Sequence, residues 1–188
     1  MALIELSSIG QMRDELSDFE ISRFFYRFAR DDGDYWIQQI REAAKNDPET
    51  VNETIQQIAL LAAEKPGEEI TILINSPGGS IQDGLVLIDV MRAYDGIVKT
   101  VSLGIAASMA AVILAAGTKG HRYCSKNSQV MLHQPLISGG IPGGNCSEIE
   151  EVAKSLVARK NQLNGLLTEF TGKPKEEIEK LTSKDNYL

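Results

Sequence analysis

Strand-like segments alternate with helical segments along most of the chain, and this alternation most limits the folds that the sequence can adopt. Ile70–Ile74 is a run of apolar and β-branched residues that predicts a buried strand. A glycine-containing loop and an amphipathic helix follow, and the second strand is predicted over Val98–Leu103. Two short strands, His121–Cys124 and Gln129–His133, are predicted after the next helix. The pattern therefore indicates a protein of the α/β class.

Local start and stop signals place the helices between these strands. Pro48 after Asp47 predicts a helix start, with Asp47 as the N-cap. Gly104 is predicted to open a turn that leads into a helix over Met109–Ala116. The Ser147–Glu150 tetrapeptide is typical of a capping box, and it predicts the start of a long helix that runs to Phe170.

The sequence changes character near residue 46. Residues 1–46 hold seven of the eleven aromatic residues, and their spacing predicts an atypical, helical N-terminal segment before a main domain over residues 47–188. We expect Phe19, Phe24, Phe25 and Phe28 to pack against the body of the protein or against a neighbouring subunit, because exposed aromatic clusters promote aggregation. A docking surface for a partner is the alternative.

Composition and charge exclude several classes of protein. The chain has 26 acidic and 19 basic residues, a net charge of −7, and no stripe of Lys or Arg that would bind phosphates, which argues against a nucleic-acid partner. Two cysteines, Cys124 and Cys146, cannot build a disulfide framework, and neither has metal-ligand spacing. Met1–Glu5 lacks the features of a signal peptide. We therefore expect a cytoplasmic protein without a metal or another cofactor.

One stretch has the length of a membrane span. Residues 100–118 carry no charge, and a spanning helix needs about 20 apolar residues. The stretch is rich in Ala, Gly and Ser, however, and it is better explained as a strand, a turn and a buried helix. We expect no membrane interaction.

Ser108 is a candidate nucleophile. It lies among small residues at a predicted strand-to-helix junction, where backbone N–H groups and the helix dipole favour an oxyanion. The Gly78–Gly79 pair follows a predicted buried strand and can supply an oxyanion-hole donor or hold a peptide as a strand. Each motif has a plain alternative, because Ser108 also suits a helix N-cap and two glycines suit an ordinary turn.

The chain has two histidines, and a histidine that acts as the base for a catalytic serine must be one of them. His133 ends a predicted strand, where sites gather in α/β sheets, whereas His121 has the surroundings of an exposed turn residue. A hydroxyl at neutral pH needs a base within hydrogen-bond reach before it can attack a carbonyl. His133 is therefore the better candidate.

Taken in order, the motifs resemble the proteolytic subunits of the Clp protease, from about Glu53 to Leu188. The motifs that carry the resemblance are Asn75-Ser76-Pro77-Gly78-Gly79-Ser80, Gly104-Ile105-Ala106-Ala107-Ser108-Met109, Ala115-Ala116-Gly117-Thr118-Lys119-Gly120, Asn127-Ser128, Met131-Leu132-His133-Gln134-Pro135, Thr171-Gly172 and Asp185-Asn186. The resemblance implies a crotonase- or ClpP-like α/β sandwich with a strand-and-helix handle, which would run here from Leu136 into the long helix.

The resemblance also implies a role for each site residue. It makes Ser108 the nucleophile, His133 the general base and Asp185 the triad acid. Gly79 and Met109 would donate the N–H groups of the oxyanion hole. The substrate-binding residues would be Gly78, Ser80 and Ile81.

The implied activity is that of a serine endopeptidase that degrades unfolded proteins to peptides inside an oligomeric chamber. Two stacked seven-membered rings would form the chamber, as in a tetradecamer serving protein quality control. An AAA+ unfoldase would feed it and hydrolyse the ATP, since nothing in this chain resembles a nucleotide-binding loop.

Three other functions compete with this one. The chain could be a catalytically weak or inactive ring subunit with a structural or regulatory role. It could be a phage-type relative that processes capsid proteins. A crotonase-type acyl-CoA enzyme would share the fold, but such enzymes work through carboxylates and need no Ser–His pair.

Overall fold

The architecture is that of an α/β protein, as the alternation of strands and helices predicts. A computed structural model describes residues 3–5, 48–137 and 144–188. Its helices are α1 (Pro48–Glu64), α2 (Ile81–Ala93), α3 (Met109–Ala116), α4 (Cys146–Thr171) and α5 (Lys175–Thr182). Its strands are β1 (Leu3–Glu5), β2 (Ile70–Ser76), β3 (Val98–Ala107), β4 (Arg122–Ser125), β5 (Gln129–Leu132) and β6 (Asn186–Tyr187).

The described strands form one mixed sheet around β3. β3 runs parallel to β2 along one edge, and along its other edge it runs parallel first to β4 and then to β5. Two short strands extend the sheet: β1 pairs antiparallel with β4, and β6 pairs antiparallel with β5. β3 is thus the central strand of the sheet, paired along both of its edges.

The core lies between this sheet and the helices. α3 is buried on every side, from Met109 to Ala115, which explains why residues 100–118 carry no charge. Thr100 is also fully buried, and its hydroxyl donates to the carbonyl of Leu114 over 2.8 Å. The stretch is strand, turn and buried helix, as expected. None of the helices in the described ranges combines the length and the hydropathy needed to cross a bilayer.

Two local predictions are wrong. Gly104 does not end the second strand: β3 continues to Ala107, and Gly104 lies inside it with a φ of 101°. The capping box of α4 is formed by Asn145 and Glu148 rather than by Ser147 and Glu150, with Asn145 Oδ1 accepting from the Glu148 N–H over 3.1 Å. Both tetrapeptides fit the capping pattern, and the helix begins two residues earlier than predicted.

The N-terminal segment is mostly outside the described residues. The aromatic cluster around Phe19–Phe28, the helix predicted there and the proposed N-cap Asp47 all belong to the part that is not described. Within the segment only Leu3–Glu5 is described, as the strand β1 that pairs with β4. That strand was not predicted, because three residues carry too little pattern.

Packing between α2 and α3 gives a stability test. A Cβ placed on Gly84 of α2 would lie 2.4 Å from Cγ of the buried Met109, whereas a Cβ on Gly165 of α4 would meet nothing within 4 Å. Alanine gains up to about 1 kcal/mol over glycine in a helix, but overpacking a core costs about 1–3 kcal/mol. We therefore expect Gly84→Ala to lower the free energy of unfolding and the matched Gly165→Ala to raise it, as measured by denaturant unfolding. A Gly84→Ala protein as stable as the natural one would contradict this packing.

Candidate active site

Ser108 is held between β3 and α3 in a strained backbone conformation. Its φ is 54° and its ψ is −123°, and it is the one non-glycine residue with a positive φ among the described residues. Such conformations cost about 1–3 kcal/mol and tend to occur at functional sites. The neighbours Ala106, Ala107, Ala110 and Ala111 are small and buried, so the chain can turn sharply here without a clash.

The hydroxyl of Ser108 does not cap α3. Ser108 occupies the N-cap position, but its side chain makes no capping hydrogen bond. Its Oγ lies instead 2.8 Å from Nε2 of His133. The hydroxyl thus contacts the histidine instead of making the capping bond that would stabilise the helix by about 1 kcal/mol. For this reason the structure does not support the plain N-cap explanation of Ser108.

Strand β5 brings His133 to Ser108. The backbone N–H of Ser108 donates to the carbonyl of Met131 over 2.9 Å, which extends the β3–β5 pairing by one step. His133 follows two residues later and is only 15% exposed. The pairing of β3 with β5 thus places His133 beside Ser108.

Strand β6 brings Asp185 to the other side of the ring. In the antiparallel β5–β6 pair, Met131 faces Tyr187 and Leu132 faces Asn186, so one step further His133 faces Asp185. Nδ1 of His133 lies 3.4 Å from Oδ1 of Asp185, whose side chain is 68% exposed. If Nδ1 carries the proton and Asp185 accepts it, Nε2 is free to accept the hydrogen of Ser108.

The Gly78–Gly79 turn lies directly against Ser108. A Cβ on Gly78 would come within 2.6 Å of Cβ of Ser108 and 3.1 Å of the Met109 nitrogen, and Gly78 has a φ of 93°. Only glycine fits there. The Gly78 N–H donates to Oγ of Ser76 over 3.1 Å, whereas the N–H groups of Gly79 and Met109 have no acceptor within the described residues. These two N–H groups therefore remain able to bind an oxyanion.

The other predicted site residues have structural partners. Oγ of Ser80 accepts from the N–H of Asp83 over 3.3 Å and caps α2, and Ile81 begins that helix and packs against the core. Their nearness to the glycine turn is the only feature that connects them with a substrate.

His121 lies at the opposite end of the strands from Ser108, next to Thr100 near the start of β3. It precedes β4, which runs parallel to β3, whereas Ser108 follows the end of β3. Its Nδ1 lies 3.3 Å from Oε2 of Glu69. Of the two histidines, only His133 contacts Ser108.

The buried Cys124 is not a comparable nucleophile, and the described side chains form no metal site. Burial in β4 raises the pKa of the Cys124 thiol to about 11, so Cys124 is a protonated thiol at neutral pH. No group of three or more His, Cys, Asp or Glu side chains within the described ranges is arranged to hold a metal ion.

Comparison with known proteins agrees with this geometry. A family profile described as Clp protease matches residues 37–188. The chain belongs to the Clp protease family. It is 46% identical over 142 residues to the ATP-dependent Clp protease proteolytic subunit 3, chloroplastic, of Arabidopsis thaliana. The aligned part covers 76% of this chain and 45% of that relative, so the chain spans less than half of the relative's length.

Membership of the Clp protease family accounts for the fold. The family match includes all the described helices and every described strand except β1. It also includes the three residues Ser108, His133 and Asp185. The sequence alone gave no strand signal at β6, so Asp185 could be singled out only through the family resemblance.

The strain at Ser108 predicts an unusual order of stabilities. Alanine is normally more stable than glycine by about 0.5–1 kcal/mol. Because Ser108 has a positive φ, we expect Ser108→Gly to be at least as stable as Ser108→Ala in denaturant unfolding. The matched pair at Ser183, whose φ is −65°, should show the normal order. If Ser108→Ala proves clearly more stable than Ser108→Gly, the strained conformation is refuted.

Proposed function

We propose that this protein is a serine endopeptidase of the Clp type. The observation that carries the proposal is the Ser108–His133–Asp185 arrangement, with 2.8 Å and 3.4 Å between the successive polar atoms. The backbone N–H groups of Gly79 and Met109, which have no acceptor among the described residues, complete it. Nucleophile, base, orienting carboxylate and oxyanion donors are the parts that acyl transfer to serine requires.

The proposed reaction has two stages. Oγ of Ser108 attacks the peptide carbonyl carbon as its proton moves to Nε2 of His133. The N–H groups of Gly79 and Met109 stabilise the oxyanion, and the first turn of α3 adds its dipole. His133 then gives the proton to the leaving amine, and an acyl ester forms on Ser108. A water molecule, deprotonated by His133, hydrolyses the ester and restores the serine.

Asp185 has an orienting role in this scheme. Its carboxylate holds the Nδ1 proton and stabilises the imidazolium that forms during attack. Because Asp185 is mostly exposed, its position depends on backbone pairing between β5 and β6 rather than on side-chain packing.

The substrates and partners follow from the same proposal. The name of the Arabidopsis relative describes an ATP-dependent protease with a proteolytic subunit. We infer that this chain cleaves unfolded proteins delivered by a separate AAA+ ATP-driven unfoldase. We propose the cytoplasm as its location.

Active-site labelling tests the proposed chemistry. A fluorophosphonate probe should modify Ser108, as located by mass spectrometry, and Ser108→Ala should abolish both labelling and peptide hydrolysis. His133→Ala should lower kcat by about 10⁴- to 10⁶-fold, because triad members act as a unit. His121→Ala is the matched control and should retain activity.

A catalytically inactive ring subunit gives a different result. Such a subunit would fold and assemble but leave the probe unreacted. Labelling at another residue, or loss of activity in His121→Ala but not in His133→Ala, would overturn the assignment of the residues.

We also propose self-association through α4. The N-terminal half of this 26-residue helix has no apolar side chain that is buried in the single chain, and Ile149 and Val157 are 44% and 56% exposed. The buried apolar residues of the helix, Leu163 and Leu167, belong to its C-terminal half. The exposed N-terminal half of α4 is the surface that we expect to form the handle between two stacked rings.

The mass of the particle tests this assembly. We expect light scattering at micromolar concentration to show a species far heavier than the 20.6 kDa chain, consistent with stacked seven-membered rings. Val157→Glu should give a lighter particle with unchanged circular dichroism, because a charge would enter the interface. Lys119→Glu, at an exposed site in the turn between α3 and β4, is the control. A natural protein that remains monomeric would contradict the proposal.

A further inference from the structure

Two polar side chains outside the triad bind the backbone of β3 where its pairing changes. We propose that Asn75 and Ser128 are positioning residues that fix the register of the strand carrying Ser108. They would thereby align Ser108 with His133 and with the Gly78–Gly79 turn. This inference rests on the proposed function of Ser108.

β3 is irregular on both edges at the same point. On one edge residues 100–102 pair with β4 and residues 105–107 pair with β5, so Leu103 and Gly104 lie between the two partners. On the other edge Ile74 faces Ser102 but Ser76 faces Ala106, so Asn75 alone faces three residues of β3. Regular ladder hydrogen bonds are interrupted at such a bulge.

Ser128 supplies hydrogen bonds on the first edge. Its Oγ donates to the carbonyl of Ser102 over 2.7 Å and accepts from the N–H of Gly104 over 2.9 Å. Oγ of Ser125 lies 2.7 Å from Oγ of Ser128. Since the single hydrogen of Ser128 goes to a carbonyl, Ser125 must be the donor in that pair. Ser128 thus uses its one donor and both its acceptor positions.

Asn75 supplies a hydrogen bond on the second edge. Its Oδ1 accepts from the N–H of Ile105 over 3.2 Å. A Cβ on Gly104 would lie 2.7 Å from the same Oδ1, so glycine is required for Asn75 to reach the strand. Gly104 has a positive φ at the point where Asn75 contacts the strand.

Both side chains belong to segments that lead into the active site. Ser128 directly precedes β5, which ends beside His133, and it holds the strand that ends beside Ser108. Asn75 comes three residues before Gly78 and holds the same strand from its other edge. Ser128 therefore links β3, which leads to Ser108, with β5, which leads to His133. Asn75 links β3 with the Gly78–Gly79 turn.

The expected effect is on the chemical step. A displacement of about 1 Å between reacting groups can cost about 100-fold in rate. We expect Ser128→Ala and Asn75→Ala each to lower kcat for a fluorogenic peptide by about 10- to 100-fold, with KM nearly unchanged. A merely structural loss would lower the amount of folded protein without separating kcat from KM.

The experiment compares each variant with one that keeps the hydrogen bond. Ser128→Thr retains a hydroxyl and Asn75→Asp retains the accepting oxygen, so both should recover most of the lost kcat. Asn127→Ala is the control, because Asn127 is exposed next to Ser128 and bonds to no described residue through its side chain. All proteins are titrated with the fluorophosphonate probe, so that kcat refers to folded sites.

The outcomes separate this inference from the proposed function. If the natural protein is not labelled at Ser108, the proposed function fails and this inference fails with it. If the natural protein is labelled while Ser128→Ala and Asn75→Ala keep natural kcat values, only the positioning role is overturned.

Should Ser128→Ala fail to fold, Ser125→Ala removes only the hydrogen bond to Ser128, and a several-fold fall in kcat is then expected. An unchanged kcat in Ser125→Ala would count against the role of Ser128.

Discussion

β3 is hydrogen-bonded along both of its edges, and the geometry of the candidate site depends on that double pairing. β2 lies on one edge and leads into the Gly78–Gly79 turn, while β5 lies on the other and leads into His133. Ser108 stands at the end of β3 itself. The backbone pairing therefore brings the Gly78–Gly79 turn, Ser108 and His133 together at the carboxyl ends of the parallel strands, where sites in such sheets usually lie.

A second set of contacts, away from the triad, holds the C-terminal ends of α3 and α4 together. The buried Arg122 donates from one Nη1 atom to the carbonyls of Ala115, over 2.9 Å, and of Phe170, over 2.7 Å. These carbonyls lie at the C-terminal ends of α3 and α4, where a cation is favoured by the helix dipoles. α5 and β6 follow α4 along the chain and lead to Asp185. The Arg122 contact thus joins the start of β4 to the ends of two helices, at the opposite end of the strands from Ser108.

The sequence was informative where a residue type has a strict steric requirement. The small residues around Ser108 predicted a strand-to-helix junction at this serine, and the structure has Ser108 between β3 and α3 with a φ of 54°. The α/β class and most element bounds followed from runs such as Ile70–Ile74, because a buried strand leaves a clear apolar pattern. These signals are local, and each can be recognised within about ten residues of sequence.

The features that were missed depend on contacts between distant segments. Gly104 is predicted to be a turn residue because glycine favours both turns and bulges, and only Asn75 and Ser128 show that it is a bulge. β6 has two residues and no pattern of its own, so nothing local marks Asp185 as a partner of His133. The aromatic residues between Phe19 and Trp36 lie outside the described residues, and their packing stays a prediction.

The most direct test of the central claim is a crystal structure of the protein with a peptide boronate bound. The account predicts a covalent bond from boron to Oγ of Ser108. One boronate oxygen should lie about 2.7–3.1 Å from the N–H nitrogens of both Gly79 and Met109. Nε2 of His133 should contact a second oxygen, and Asp185 should remain on Nδ1. Boron bonded to another residue, or a boronate oxygen turned away from both N–H groups, would contradict the account.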